Sequence, residues 1–96
     1  MVKPWNRDRV LAEIRTGSES STQATVTRRN GRYTLHVVDD IYLDNPDRRF
    51  YDGSSIDEID ANMASDASLP HGLRVLASAA LRQARTQVIA ERARRR

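Results

Sequence analysis

Asn30-Gly31 sits between two runs in which apolar and polar residues alternate, and a pair of this kind closes a β-hairpin in essentially one way. The two central residues of a type I′ turn both need positive φ, which glycine and asparagine adopt at least cost. With Asn30 and Gly31 as the loop, Arg29 faces Arg32, Arg28 faces Tyr33, Val26 faces Leu35 and Ala24 faces Val37. Side chains alternate along a strand, so Ala24, Val26, Tyr33, Leu35 and Val37 share one face. Thr25, Thr27, Thr34 and His36 share the other. A slip of one residue would scatter the apolar set over both faces. Turn chemistry and hydrophobic pattern therefore specify the same hairpin.

The elements around the hairpin follow from local signals. The second strand is expected to continue through Val38 to Leu43, with a bend at Asp39-Asp40. Asp44-Asn45-Pro46-Asp47 reads as a turn, Arg48 to Tyr51 as a third strand, and Asp52-Gly53 as its end. Ser55-Ile56-Asp57-Glu58 has the capping-box spacing, with Ser at the N-cap and Glu at N3. Ile56, Ile59 and Met63 carry that helix to about Ala64. After a break at residues 65–68, Leu69-Pro70 opens a last helix with Leu73, Leu76, Ala77, Ala80, Leu81, Ala84 and Val88 at helical spacing. From about residue 70 to 93 it would be roughly 36 Å long. That exceeds what a domain of 96 residues needs, so its C-terminal half is expected to project, fray or pack on a partner.

At the N-terminal end Asn6 reads as an N-cap. Trp5 and Val10 have the spacing of a hydrophobic staple, Val10, Leu11 and Ile14 form a stripe, and Gly17 is a stop. These features predict a helix over residues 7–16, followed by a linker at 17–21. The expected architecture is a small two-layer α+β domain in the order α-β-β-β-α-α. A three-stranded antiparallel β-meander has its helices packed on one face. The domain spans residues 1–96, with 90–96 as a frayed basic tail.

Composition narrows the function. Hydrophobic residues at 39% and charged residues at 30% fit a folded domain rather than a disordered one. With one Trp, one Phe and three Tyr, the core must be mainly aliphatic. The absence of cysteine excludes disulfides, thiol chemistry and cysteine-ligated metals. No apolar run reaches the roughly 18 residues of a membrane span, and the first residues lack the apolar core of a secretory signal, so a cytoplasmic location is expected.

Formal charge is segregated. Residues 1–32 hold seven basic and three acidic side chains, residues 33–68 two and nine, and residues 69–96 seven and one. The three nets are +4, −7 and +6, and they sum to the overall +3. Lys3 is the single lysine; the other cations are arginine, whose planar fork suits carboxylate and phosphate. The candidate partner-binding acids are Asp39, Asp40, Asp44, Asp47, Asp57 and Asp60. The candidate basic surface is Arg28, Arg29 and Arg32 at the hairpin tip with Arg82, Arg85, Arg92, Arg94, Arg95 and Arg96 of the last helix.

Motifs for chemistry are missing. The glycines at 17, 31, 53 and 72 form no phosphate loop, and His36 and His71 fall in different elements with no metal-ligand spacing. Asp44-x-x-Asp47 lacks the order of a calcium loop. The serines cluster in linkers and caps without a nucleophile elbow. No cofactor, metal or catalytic residue is expected. Residues 56–84 also fit a helix-turn-helix turning at 65–68, but its second helix would present His71, Arg74 and Ser78, a poor set for reading bases.

The α-β-β-β-α order resembles the double-stranded-RNA-binding domain, which grips phosphates with a lysine-rich cluster at the start of its last helix. The matching stretch here, Gly53-Ser54-Ser55-Ile56-Asp57-Glu58, is acidic. The resemblance thus implies a fold without that contact. The same stretch through Asp66 is similar to the strand-to-helix segment of HicB-type antitoxins. Two functions remain as expectations. One is a small non-enzymatic regulatory or inhibitory protein of phage, plasmid or bacterial accessory type. It would act by protein–protein binding and form a homodimer through the Ala77, Ala80 and Ala84 face of the last helix. The other is nucleic-acid binding through the arginine-rich last helix and the hairpin tip.

Overall fold

A computed structural model describes residues 9–15, 22–39 and 47–94. Four strands, β1 (Arg9–Arg15), β2 (Thr22–Arg29), β3 (Arg32–Asp39) and β4 (Asp47–Gly53), precede two helices, α1 (Ile56–Ala64) and α2 (His71–Arg94). The strands form one antiparallel sheet in sequence order. The α+β class and the antiparallel meander stand as read from the sequence. The sheet has four strands rather than three, and the described order is β-β-β-β-α-α. The α-β-β-β-α order that carried the likeness to the double-stranded-RNA-binding domain is therefore absent from the described residues.

The hairpin has the expected register, from Arg29 opposite Arg32 to Ala24 opposite Val37. Asn30 and Gly31 both have positive φ, at 53° and 79°. β4 is longer at both ends than the expected 48–51 and pairs with β3 from Tyr33–Gly53 to Asp39–Asp47. The expected continuation of β3 to Leu43, the bend at Asp40 and the turn from Asp44 fall partly or wholly outside the described residues.

The expected helix over residues 7–16 is corrected to a strand over its described part. Val10 pairs with Thr27, and the next pair is Ala12 with Val26, so Leu11 is the extra residue of a β-bulge. The bulge puts Val10 on the outer face, 55% exposed, and turns both Leu11 and Ala12 inward. Ile14 then packs against the core. A strand with one bulge thus presents apolar residues at 11, 12 and 14, a spacing that imitates a helical stripe. Trp5, Asn6, Gly17 and the linker at 17–21 lie outside the described residues.

Ala24, Val26, Leu35 and Val37 are fully buried on the face covered by the helices, with Tyr51 beside them. α1 lies over β4 and β3, and α2 crosses β1, β2 and β3. The start of α1 follows its sequence signal: the Ser55 hydroxyl accepts from the Glu58 amide at 3.1 Å. Glu58 reaches back one residue further than a capping box requires, accepting from the Ser54 amide at 3.0 Å and the Ser54 hydroxyl at 2.7 Å. Gly53 makes this junction possible, because a Cβ there would sit 3.0 Å from Glu58 Cβ and 3.2 Å from Ile59 Cγ1.

Asp66 organises the connection between the helices. Its carboxylate accepts from Tyr51 Oη at 2.7 Å and from the Ser68 amide and hydroxyl at 3.1 and 2.6 Å. Arg74 donates to the carbonyls of Met63 and Asp66 at 3.0 and 2.7 Å. Its guanidinium is engaged inside the fold, which removes it from the base-reading set of a helix-turn-helix.

The C-terminal half of α2 does not stand away from the domain. Ala80, Leu81, Ala84 and Glu91 are buried, and Val88 packs against the core. The fourth strand widens the sheet and supplies the surface that a three-stranded meander would lack. Ala77, Ala80 and Ala84 are fully buried in the chain's own core, which leaves that face no room for a second copy. No helix among the described residues is long and apolar enough to cross a membrane.

Candidate functional site

The tight turn at Asn30-Gly31 ends the β2–β3 ladder on two opposed arginines, Arg29 and Arg32, both exposed. Like charges directly opposite each other repel across a ladder, so positive potential is concentrated at the tip. One residue inward, Arg28 lies on the helix-covered face, its guanidinium 5.9 Å from the Tyr33 ring centre. There it meets the last turns of α2.

Glu91 is the anchor of that meeting. It is only 9% exposed. One carboxylate oxygen accepts from Arg28 Nη2 at 2.7 Å, and the other faces Arg9 Nη2 at 2.7 Å. The hydrogen bond from Arg28 holds the Glu91 carboxyl below its usual range, and the charges of Arg28, Arg9 and Arg94 act the same way. Two guanidiniums on one carboxylate leave a local excess of one positive charge.

Arg92 lines a small hollow of about 150 Å³ with Arg28, Tyr33 and Glu91. Arg9, Arg28, Arg92 and Arg94 thus gather around Glu91 on the helix-covered side of the sheet, while Arg29 and Arg32 project from the other face of the hairpin tip. Of the basic surface read from the sequence, Arg28 of the hairpin meets Arg92 and Arg94 of the last helix here, and Arg29 and Arg32 do not. Arg95 and Arg96 lie outside the described residues.

Arg82 and Arg85 belong elsewhere. Arg85 Nη2 is 2.7 Å from Asp57 Oδ1, and Asp60 shares a shallow groove with Ser78, Arg82 and Arg85. Asp57 and Asp60 therefore face arginines of the same chain. Asp39 sits at the far end of β3, where its backbone pairs with Asp47, and Thr22 Oγ1 lies 3.4 Å from Asp39 Oδ1. Asp40 and Asp44 lie outside the described residues. The described acids of the expected patch are thus divided, Asp57 and Asp60 in the α1–α2 groove and Asp39 at the far end of β3. Arg48 and Arg49 of β4 lie at that same end of the sheet as Asp39.

The sheet face away from the helices carries the second feature. Phe50 lies opposite His36, and their rings stack with centroids 4.3 Å apart and planes 4° from parallel. Phe50 is nonetheless 62% exposed. Burial lowers the His36 pKa, and the nearby Arg48 charge lowers it further, so the ring is neutral at neutral pH. Toward the hairpin tip this face holds a shallow concavity of about 420 Å³ lined by Thr27, Arg29, Asn30, Arg32, Thr34 and Asp52. Thr34 Oγ1 donates to Asp52 Oδ1 at 2.8 Å.

Glu91 is not singled out by sequence reasoning, and Phe50 stands there only as one of four aromatics near the sheet, with Tyr33, Tyr42 and Tyr51, that could stack on a single strand. Glu91 is the lone acid of the last segment, and that isolation on an apolar helical flank is its signal. Phe50 becomes visible once β4 is set in register with β3, which places it opposite His36 on the threonine-rich face. Among the described residues no group of three His, Cys, Asp or Glu side chains is placed to hold a metal ion. No protein-family model matches the chain, and no curated protein or solved structure shows significant similarity to it.

Proposed function

We propose that this protein binds nucleic acid through its phosphate backbone, using the arginine cluster where the hairpin tip meets the end of α2. The observation that carries the reading is the hydrogen bond between Arg28 and Glu91. It locks two basic segments far apart in the sequence into one surface. Arg9 and Arg28 hold the cluster together, Arg92 and Arg94 are exposed at it, and Arg29 and Arg32 are exposed on the other side of the same hairpin tip. Arginine forks pair well with phosphate oxygens. The role is binding, without catalysis.

The test is binding of fluorescent oligonucleotides across a salt series. Wild type should lose affinity steeply with salt. The Arg29→Ala, Arg32→Ala, Arg92→Ala, Arg94→Ala variant should bind more weakly with a flatter slope, by about 0.7 to 0.9 for each phosphate that is no longer neutralised. An unchanged slope in that variant would sink the proposal.

A protein partner is the second reading, favoured by the carboxylate of Asp39 at the end of β3, whose sign suits a basic surface. A regulator or inhibitor of that kind would lose its partner when Asp39 and Asp47 are replaced by Asn and would keep it when the four arginines are replaced. The reverse pattern would refute it.

A further inference from the structure

We infer that the open face of the sheet is a platform for single-stranded RNA, on which a base stacks on Phe50 while the flanking phosphates meet arginines on either side. The inference rests on the proposed nucleic-acid function and names its substrate class. Phe50 is the most exposed large hydrophobic side chain among the described residues, at 62%. One side of its ring is covered by the parallel His36 ring, 4.3 Å away. Bases stack on such a ring without regard to identity.

The open face carries the arginines Arg29, Arg32 and Arg48 against the acids Glu13 and Asp52, an excess of positive charge that suits a polyanion. Arg48 precedes Phe50 by two residues and so projects from the same side of β4, opposite Val38. Arg29 and Arg32 border the concavity at the other end. His36 lies four positions after Arg32 in β3, about 13 Å along the strand. The ring thus lies between two cationic points on a line that a single strand can follow. A duplex keeps its bases stacked on one another, so it can meet the arginines but has no free base to offer Phe50.

The hydroxyls and the carboxylate in this path argue for RNA. Asp52 sits among the arginines of the concavity, where it repels phosphate but can accept a hydrogen bond from a ribose 2′-hydroxyl. Thr25, Thr27 and Thr34 line the neighbouring positions of the same face and can donate or accept. The 2′-hydroxyl is the group by which a protein tells RNA from DNA.

The experiment compares a labelled uridine-rich RNA of about ten nucleotides, its deoxy counterpart and a duplex RNA of equal length, bound to full-length wild type, Phe50→Ala and Phe50→Trp. All variants are first checked for wild-type circular dichroism. The single-stranded RNA should bind wild type more tightly than the other two. Phe50→Ala should weaken it about fivefold or more and leave the duplex unaffected. Phe50→Trp should restore binding, with quenching of the new indole. Equal affinity of Phe50→Ala and wild type for the single strand overturns the platform, and equal affinity for RNA and DNA overturns the choice of RNA. Binding that depends on Arg92 and Arg94 but not on Phe50 would refute this inference while leaving the basic-end reading intact. No binding of any oligonucleotide would remove both.

Discussion

Replacing Glu91 by Gln tests whether the arginine cluster is built on one carboxylate. Gln keeps the size and one acceptor oxygen but removes the charge. The Arg28 side chain is 20% exposed, and its hydrogen bond to Glu91 is 2.7 Å long. A hydrogen bond to a charged partner contributes about 1.5–3 kcal/mol net, and the neutral amide retains part of it. Arg9, with a side chain 53% exposed, adds at most a few tenths of a kcal/mol because water screens it. The expected loss is about 1.5 kcal/mol, which lowers Tm by roughly 6–12 °C in a domain this small. The assay is thermal unfolding followed by circular dichroism at several pH values.

The pH dependence supplies a second signature. The folded Glu91 pKa lies below its ordinary value of 4.5, so the unfolded chain takes up the proton first as pH falls. The stabilisation is complete above that value and is lost as pH drops through the folded pKa. The Tm gap between wild type and the variant should therefore be full at neutral pH and close in acid. Equal Tm values at neutral pH, or a gap that persists in acid, would refute the reasoning.

Two further perturbations examine the frame that holds the site. Gly53→Ala places a methyl group 3.0 Å from Glu58 Cβ and 3.1 Å from Glu58 Cγ, and should cost about 1–3 kcal/mol by overpacking. The check is a lower midpoint in urea with an unchanged slope; an unshifted midpoint would mean that α1 can move aside at no cost. The Asp66 carboxyl is held down at about 2 by hydrogen bonds from Ser68 and Tyr51. Its contribution is present above the ordinary 3.8 and vanishes as pH falls toward 2. Asp66→Asn should lower stability at neutral pH and flatten the acid limb over that window. A carboxyl titration by NMR that places Asp66 at its ordinary value would contradict the geometry.

The readable parts of this fold are those in which one local signal and one periodicity agree. Asn30-Gly31 and the alternation around it specify the register of β2 and β3 pair by pair. Ser55 and Glu58 locate the start of α1, and the apolar spacing from Leu73 to Val88 locates α2. The first strand reads as a helix for a physical reason. A bulge at Leu11 inserts one residue into a period of two, and the resulting inward set at 11, 12 and 14 has the look of a helical stripe. A helix at that place also hides the purpose of the long α2, since β1 is part of what α2 covers. Of the candidate site residues, the arginines are legible as charge but their grouping is not. Nothing local says that Arg28 and Glu91 meet across 63 residues, or that Asp57 and Arg85 pair with each other. The exposed ring of Phe50 depends on the register of β4, for which no turn signal as strong as Asn30-Gly31 exists.

The Glu91 variant also separates stability from binding, which most substitutions at a charged surface cannot do. Removing the carboxylate weakens the junction between hairpin and helix and raises the charge of the same surface by one. If the cluster contacts phosphate, Glu91→Gln should bind oligonucleotides more tightly and with a steeper salt slope, although it unfolds at a lower temperature. A cluster whose arginines serve only to hold the helix end on the sheet gives the opposite pairing, in which affinity is absent or falls together with Tm. Measuring both quantities on one protein therefore decides whether the positive end is a by-product of packing. The wild-type carboxylate would then be a compromise, anchoring Arg9 and Arg28 while leaving Arg92 and Arg94 exposed at the same surface.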